Sequence, residues 1–321
     1  MEILQVKDLK LYYKTLYGMA KAVDGVSFTV RKGETLGIAG ESGCGKTTLG
    51  LGLVLRKPPM VWCGGQAFIE DTDLMNLDEK SMRKLRYEKI SIIPQYAMDA
   101  LNPTKKIRQI IQDLLKEHKQ RYEEKQELLT ERLTLINLNK KILDMYPIEL
   151  SGGMRQRLVM VISTLLNPKL LISDEITSAL DVSTQKTVIQ TLYQMKKKGF
   201  MDSLIFITHD LSLLYQIADR VMIMYAGKVA EIGEIQDIVD NPLHPYTRAL
   251  IGSLPRIGVR YHETKLKGIH GYPPNLLKIG PACRFKERCP MAFNKCEENP
   301  PIFRVNAQEV ACWLYEEGER V

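Results

Sequence analysis

The run Gly40-Glu41-Ser42-Gly43-Cys44-Gly45-Lys46-Thr47 carries glycines, a lysine and a hydroxyl at the spacing of a phosphate-binding loop. Glycine is required there because backbone N–H groups must turn toward phosphate oxygens without a Cβ in the way. Lys46 is placed to neutralise β- and γ-phosphates, and the Thr47 hydroxyl suits Mg²⁺. A helix opening at Lys46 adds a dipole that favours an anion. The residue types therefore point to a nucleoside triphosphate.

Two further constellations carry chemistry. Leu170-Leu171-Ile172-Ser173-Asp174 followed by Glu175 sets two acids at the carboxyl end of a buried strand, where ligands of open α/β sheets gather. Asp174 suits Mg²⁺ and Glu175 suits polarising an attacking water. Taken alone, the pair also reads as an ordinary acidic helix cap. Leu150-Ser151-Gly152-Gly153-Met154-Arg155-Gln156, about twenty residues earlier, opens a helix with a hydroxyl and free N–H groups, a second anion site. By itself it is equally a plain N-cap. Cys44 is read as a small residue facing backbone, and Cys63 has no identifiable partner.

The elements that must position these residues follow from pattern. Leu9, Leu11 and Tyr13 alternate, then Val26, Phe28 and Val30, which predicts two strands around a turn at Gly18. A short apolar strand over 35–39 leads into the loop, and a helix runs from Lys46 to about Arg56. Ile90-Ser91-Ile92-Ile93 is a β-branched strand stopped by Pro94. Residues 107–138 read as charged helix broken only weakly, and Pro147 ends that region. A helix from Gly152 to Leu166, the strand 170–174, a helix from about Ser183 to Lys198 and the strand 204–207 follow. Strands alternating with helices predict a mainly parallel α/β sheet.

Length and composition bound the reading. The chain has 321 residues, 45% hydrophobic and 26% charged, and a net charge of +7, which is mild for its size. No stretch supplies the roughly 18 consecutive apolar residues that span a bilayer. The N-terminus has no apolar signal core, so a cytosolic chain is expected, with any membrane role resting on a partner. Four of six cysteines, Cys283, Cys289, Cys296 and Cys312, crowd the tail. In a reducing cytosol such a cluster suggests metal rather than disulfides.

The ordered set of the phosphate loop, Gln95, Leu150 to Gln156, Asp174-Glu175, Ser178-Ala179-Leu180-Asp181 and His209 resembles the ATP-binding subunits of ABC transporters over residues 1–241. The resemblance implies a P-loop ATPase core, a mixed sheet with a RecA-like parallel part and an antiparallel β subdomain. It also implies a helical subdomain over about 97–166. ATP would be contacted by Tyr13 through adenine stacking, with Tyr12 and Tyr17 as alternatives, and by Gly40, Ser42, Gly43, Cys44, Gly45, Lys46, Thr47 and Thr48. Mg²⁺ would be held by Thr47, Gln95 and Asp174. Glu175 would be the general base, Gln95 would orient water, and His209 would hold the γ-phosphate. Ser151, Gly152 and Gly153 would close over the ATP of a second subunit, with Asp181 linking the two sites.

Within that family, Gln95 to Pro103, Asn241-Pro242-Leu243-His244-Pro245-Tyr246-Thr247-Arg248-Ala249-Leu250 and Tyr272-Pro273-Pro274-Asn275-Leu276 resemble the oligopeptide, dipeptide and nickel importer branch. The branch implies a C-terminal extension over 242–321, a small Cys-rich appendage expected to bury little core. Its cysteines run Cys-x5-Cys-Pro-x5-Cys-x15-Cys, without the Cys-x2-Cys hooks of a zinc ribbon. The Cys-Pro step is similar to iron–sulfur ligation, and members of the branch hold a [4Fe–4S] cluster there. Zn²⁺ and free or paired thiols are the alternatives.

The branch implies partners as well: a paralogous ATP-binding subunit in a heterodimer, two transmembrane permease subunits and an extracytoplasmic solute-binding protein. The chain would sit at the cytoplasmic face of the membrane and move di- or oligopeptides, with nickel or oligosaccharides as alternative cargo. The segment from about Tyr96 to Arg108 would receive the permease. Two competing classes are a soluble ABC ATPase acting on nucleic acid or ribosomes, and an iron–sulfur redox protein with an ATP site. No aromatic-basic nucleic-acid stripe and no long coiled coil support the former.

Overall fold

In the computed structural model, which describes residues 1–95, 100–178, 180–253, 268–317 and 319–320, the chain opens with strands β1 (Glu2–Thr15) and β2 (Gly18–Arg31). Strand β3 (Thr35–Ala39) and helix α1 (Lys46–Val54) flank the glycine loop. Next come β4 (Met60–Ile69), β5 (Thr72–Asp73), α2 (Glu79–Leu85) and β6 (Ile90–Ile93). Helices α3 (Ile107–Glu117), α4 (Gln126–Leu135) and α5 (Gly152–Thr164) precede β7 (Leu170–Asp174), α6 (Val182–Lys197) and β8 (Ser203–Ile207). The rest contains α7 (Leu211–Ile217), β9 (Arg220–Tyr225), β10 (Lys228–Glu234), α8 (Ile235–Asp240) and α9 (Pro245–Gly252). Three short strands, β11 (Phe303–Val305), β12 (Gln308–Val310) and β13 (Glu319–Arg320), follow in the tail.

These elements group into two compact units. The first comprises Met1–Leu4, Val30–Glu34 and Phe68–Phe206, and the second Gln5–Thr29, Thr35–Ala67 and Ile207–Val321.

In the first unit β8, β7 and β6 lie side by side in that order, and β6 runs parallel to β7 with Ile90 opposite Leu170 and Ile93 opposite Ser173. All residues of β7 and β8 are buried, as continuous apolar runs in a covered parallel sheet should be. Helix α3 buries Ile107, Ile111 and Leu115, the one-faced stripe of an amphipathic helix. In α5, Leu158, Met160 and Val161 are all fully buried, which marks a core helix.

The weak break expected within 107–138 is a full stop. Lys119 takes φ 55°, and Gln120 N–H donates to Leu115 O at 2.8 Å while Lys119 N–H donates to Lys116 O at 3.0 Å. This pair of bonds is a Schellman cap. Its left-handed residue is a lysine rather than the usual glycine, which is why the pattern did not announce it. On α4, Arg132 is fully buried, its guanidinium 4.4 Å from the Phe200 ring centroid and hydrogen-bonded to Asn167. Burial pulls its pKa down to about 10.

In the second unit β1 lies between β2 and β4. Only Leu16 and Tyr17 join β1 to β2, a connection too short for anything but antiparallel neighbours. The same unit also holds strands in the order β13-β11-β12-β10-β9-β3, with β3 parallel to β9 and the β9–β10, β10–β12 and β11–β12 pairs antiparallel.

The tail is thus not a separate Cys-rich appendage. Val310 stands opposite Glu231 of β10, and Phe303 opposite Val310, so the tail extends the sheet. Nor does it bury little core, because Phe285 and Phe303 are at most 2% exposed. The period-based expectation failed because strands this short have no period and are joined to the sheet through β10, far away in sequence.

One buried carboxylate anchors this arrangement. Glu231, fully buried on β10, accepts hydrogen bonds from Leu243 N at 2.8 Å, His244 N at 2.9 Å and Gln308 Nε2 at 3.2 Å. Those donors hold the start of α9, where Pro245 takes the first helical turn and His244 is the N-cap, its Nδ1 accepting from Tyr246 N–H at 2.9 Å.

Burial of His244 pushes its pKa down to about 4, so the imidazole is neutral and available as that acceptor. Because the folded value lies below the unfolded one, its contribution is complete above pH 6.5 and is lost as pH falls toward 4. Between those limits the unfolding free energy of the parent should fall by about 3 kcal/mol more than that of His244→Asn, whose amide oxygen can cap without titrating. Denaturant unfolding across that pH window measures it, and equal slopes would refute the assignment.

Candidate functional site

In the second unit the loop of residues 40–47 joins β3 to α1, in the strand–loop–helix order its chemistry needs. Two glycines are dictated by close approach. A Cβ on Gly40 would lie 2.1 Å from Met224 O, and one on Gly45 2.0 Å from Ala22 O, at φ 145° and 107°. Ser42 and Gly43 are exposed, whereas Cys44 and Lys46 are buried. Lys46 Nζ donates to Gly40 O at 2.8 Å and Glu41 O at 3.1 Å, so the ammonium lies folded across its own loop. Burial pushes the Cys44 thiol up in pKa despite the neighbouring lysine, so the loop thiol is a packing group rather than a nucleophile.

The aromatic candidates separate by their partners. Tyr13 OH meets Thr48 Oγ1 at 3.2 Å, on the helix behind the loop. Tyr12 OH is spent on Asp24, and Tyr17 stands 88% exposed on the hairpin turn. Thr47, in the first turn of α1, is half-buried. His209 is exposed just past β8, and Thr208 beside it donates its N–H to Ile38 O of β3 at 3.1 Å. Asp210 caps α7 by accepting from Ser212 N–H at 2.8 Å.

Glu41, the one acid in the loop, turns its carboxylate to Arg288, at 2.6 Å and 2.9 Å to the two guanidinium nitrogens. Its N–H donates to Tyr246 OH at 2.8 Å. Sequence reasoning gave Glu41, Tyr246 and Arg288 no part in the loop. The available signal was an acid placed inside an anion site, which demands a cation.

In the first unit Asp174 is 1% exposed at the end of β7, and Glu175 follows at φ 46°. That left-handed conformation costs a residue with a Cβ about 1–2 kcal/mol. Glu175 Oε2 accepts from Gln95 Nε2 at 3.0 Å, so the two residues expected to handle water are in contact. Gln156 Nε2 reaches Ile176 O, which ties α5 to the same turn.

Ser151 is the N-cap of α5, its Oγ accepting from Met154 N–H at 3.3 Å, and nothing lies within 4 Å of a Cβ built on Gly153. The helix end is therefore open above Gly153, as an anion site needs to be. Asp181 caps α6, accepting from Thr184 N–H at 3.0 Å and from the Ser183 and Thr184 hydroxyls. Those hydroxyls hold its carboxyl well below the usual range. Residues 96–99, part of the expected permease contact, and residue 179 lie outside the described residues.

Cys283, Cys289, Cys296 and Cys312 line one enclosed pocket together with Phe285 and Trp313. Burial pushes the thiols of Cys283, Cys289 and Cys312 up, the last to about 11. Among the described residues no group of three or more His, Cys, Asp or Glu stands at metal-holding geometry. No described helix is long and apolar enough to cross a membrane.

Comparison with known proteins accounts for this architecture. Residues 23–178 match the ABC transporter family, and residues 230–296 match the oligopeptide/dipeptide transporter C-terminal region. The chain is 39% identical to the dipeptide transport ATP-binding protein DppD of Caldanaerobacter subterraneus subsp. tengcongensis, covering 98% of each chain. It is also 39% identical to the oligopeptide transport ATP-binding protein OppD of Escherichia coli, over 94% of this chain and 89% of that one. Among solved structures, a bacterial ABC transporter cassette in dimeric form superposes with a TM-score of 0.64 at 24% identity, covering 72% of this chain and 98% of that one. CbiO1 of Clostridium perfringens gives 0.63 at 24%, over 75% and 91%, and both likenesses speak to the fold. A glycine loop between strand and helix, a serine-capped helix and an acid pair, in a chain related to these proteins along nearly its whole length, make this protein an ATP-hydrolysing member of the ABC family, of the oligopeptide/dipeptide transport ATP-binding branch.

Proposed function

We propose that this chain is the motor subunit of a membrane importer for dipeptides and oligopeptides, coupling ATP binding and hydrolysis to transport. The observation that carries the reading is its 39% identity, over 98% of both chains, to a dipeptide transport ATP-binding protein. The roles of Lys46 and Glu175 follow from residue chemistry, and those of Tyr13, Gln95 and His209 from the family resemblance. Residues 40–47 cradle the phosphates, Lys46 neutralises the β and γ positions, and Tyr13 stacks on adenine. Glu175 takes the proton of the attacking water, Gln95 orients that water, and His209 binds the γ-phosphate.

The strained backbone at Glu175 and its bond to Gln95 support those two assignments. Thr47, Gln95 and Asp174 supply oxygen donors of the hard kind that Mg²⁺ takes, and the ion would neutralise phosphate charge. The turn Ser151-Gly152-Gly153 completes the ATP site of a second, paralogous subunit, and Asp181 couples the two sites. Two permease subunits and a solute-binding protein complete the machine, with this chain peripheral at the cytoplasmic face.

For the tail we propose a [4Fe–4S] cluster held by Cys283, Cys289, Cys296 and Cys312. Four thiols around one pocket fit such a group in number and kind, although they do not stand at ligation geometry. The cluster would supply a covalent clip to a segment with little regular structure.

Three outcomes are expected. Glu175→Gln should keep ATP affinity within a few-fold while hydrolysis slows by about 10²–10⁴, trapping a closed dimer, and normal turnover would remove the general-base role. Copurification from detergent-solubilised membranes should recover permease subunits, whereas purification with ribosomes or nucleic acid would favour the soluble class. Anaerobic reconstitution with iron and sulfide should give cluster absorbance that Cys283→Ser loses. Stoichiometric Zn²⁺ uptake in its place would reassign the site.

A further inference from the structure

Two sequence features find no use in phosphate chemistry: the His244-Pro245-Tyr246 element and the basic residues among the tail cysteines. One residue of each, Tyr246 and Arg288, reaches Glu41, the second residue of the phosphate loop. Tyr246 lies 205 residues away in sequence and Arg288 lies 247 away. Glu41 is held at each of its polar groups. Its N–H donates to Tyr246 OH at 2.8 Å, its carbonyl accepts from Lys46 Nζ at 3.1 Å, and its carboxylate takes both arms of Arg288.

The holders are themselves fixed. Arg288 has only 5% of its side chain exposed, against 25% for Glu41, and it also donates to Tyr225 OH at 3.0 Å and His270 O at 2.7 Å. Tyr246 is fully buried, its ring 4.6 Å from Tyr225 and 5.4 Å from Phe285 between centroids. Behind it, Glu231 and His244 set the start of α9.

A glycine-rich loop is entropically costly to hold with its N–H groups aligned, and affinity rises when that cost is met before the ligand arrives. A carboxylate within an anion site also repels phosphate unless a cation pairs with it and turns it aside. One bidentate guanidinium meets both needs, since its fork fixes geometry as well as charge.

We propose that Arg288 and Tyr246 are positioning residues for ATP: by fixing Glu41 they pre-align the phosphate loop, so the C-terminal tail is a working part of the nucleotide site. The proposal rests on the reading of residues 40–47 as the phosphate cradle. A contact serving stability alone would leave nucleotide affinity unchanged in the folded protein, and that difference is measurable.

The test is calorimetric titration of the full-length chain with ATP and Mg²⁺, alongside thermal unfolding without nucleotide. Arg288→Met should weaken ATP binding by about tenfold or more, because the loop loses its alignment and gains an unpaired carboxylate. Adding Glu41→Gln to Arg288→Met should recover a large part of that loss, since the repelling charge is gone. Tyr246→Phe keeps the buried ring and removes only the hydroxyl, so it should weaken ATP binding several-fold with little change in Tm. This second variant decides the matter if Arg288→Met fails to fold.

ATP affinity within about twofold of the parent in both Arg288→Met and Tyr246→Phe, while Lys46→Ala loses binding, would overturn the positioning role and leave the cradle intact. Parent-like affinity in Lys46→Ala would overturn the cradle and the positioning role together.

Discussion

The second unit is organised by a constraint of backbone on backbone. An anion cradle built from N–H groups must have its other side filled by something, and here that filling is main chain. Gly40 lies against Met224 O and Gly45 against Ala22 O, at separations where no Cβ could exist. Hydrogen bonds continue the contact: Asp24 N–H donates to Gly227 O at 2.8 Å, and Gly227 N–H to Cys44 O at 2.9 Å. The loop is thus stapled to β2 and to the turn between β9 and β10. The parallel β3–β9 pairing, with Ala39 opposite Ile223, brings that turn into place. Displacing either neighbour would remove the support that fixes the loop backbone.

The same logic runs outward into the tail. Glu231 is a fully buried acid whose pKa burial raises, and the Leu243 and His244 N–H groups oppose that drive. The donors it collects belong to the start of α9 and to β12, so one carboxylate aligns two segments that have little regular structure of their own. That alignment carries Tyr246 to the loop. Buried polar groups of this kind specify one arrangement because leaving any member unpaired is expensive.

Much of the site was legible because its signals are local. The strands over 35–39, 90–93 and 170–174 came out at their exact ends, since each is a short buried apolar run closed by Gly, Pro or acid. The loop and the Asp174-Glu175 pair lie at such ends, and Ser151 caps a helix that its own side chain marks, so their placement followed. Other elements escaped. β4 carries Gly64-Gly65 inside an exposed stretch and shows no clean alternation, and β9 and β10 were not among the elements expected. The tail strands have three residues or fewer and exist only through pairing with β10 or with each other. The cysteines were visible as a cluster, and the structure gathers them round one pocket without bringing them to ligand geometry.

By itself, then, the sequence determined where the glycine loop and the acids at the strand end lie, and the family to which the chain belongs. Those depend on residue type and on backbone conformation over a handful of positions, where glycine, proline and capping side chains act on their nearest neighbours. Only the tertiary structure decided what happens to Glu41. Its side-chain and N–H partners come from positions 246 and 288, and nothing in their local sequence points either of them at the loop. Ion pairs and buried hydroxyl contacts between distant segments are set by how the whole unit packs, which no short-range pattern records.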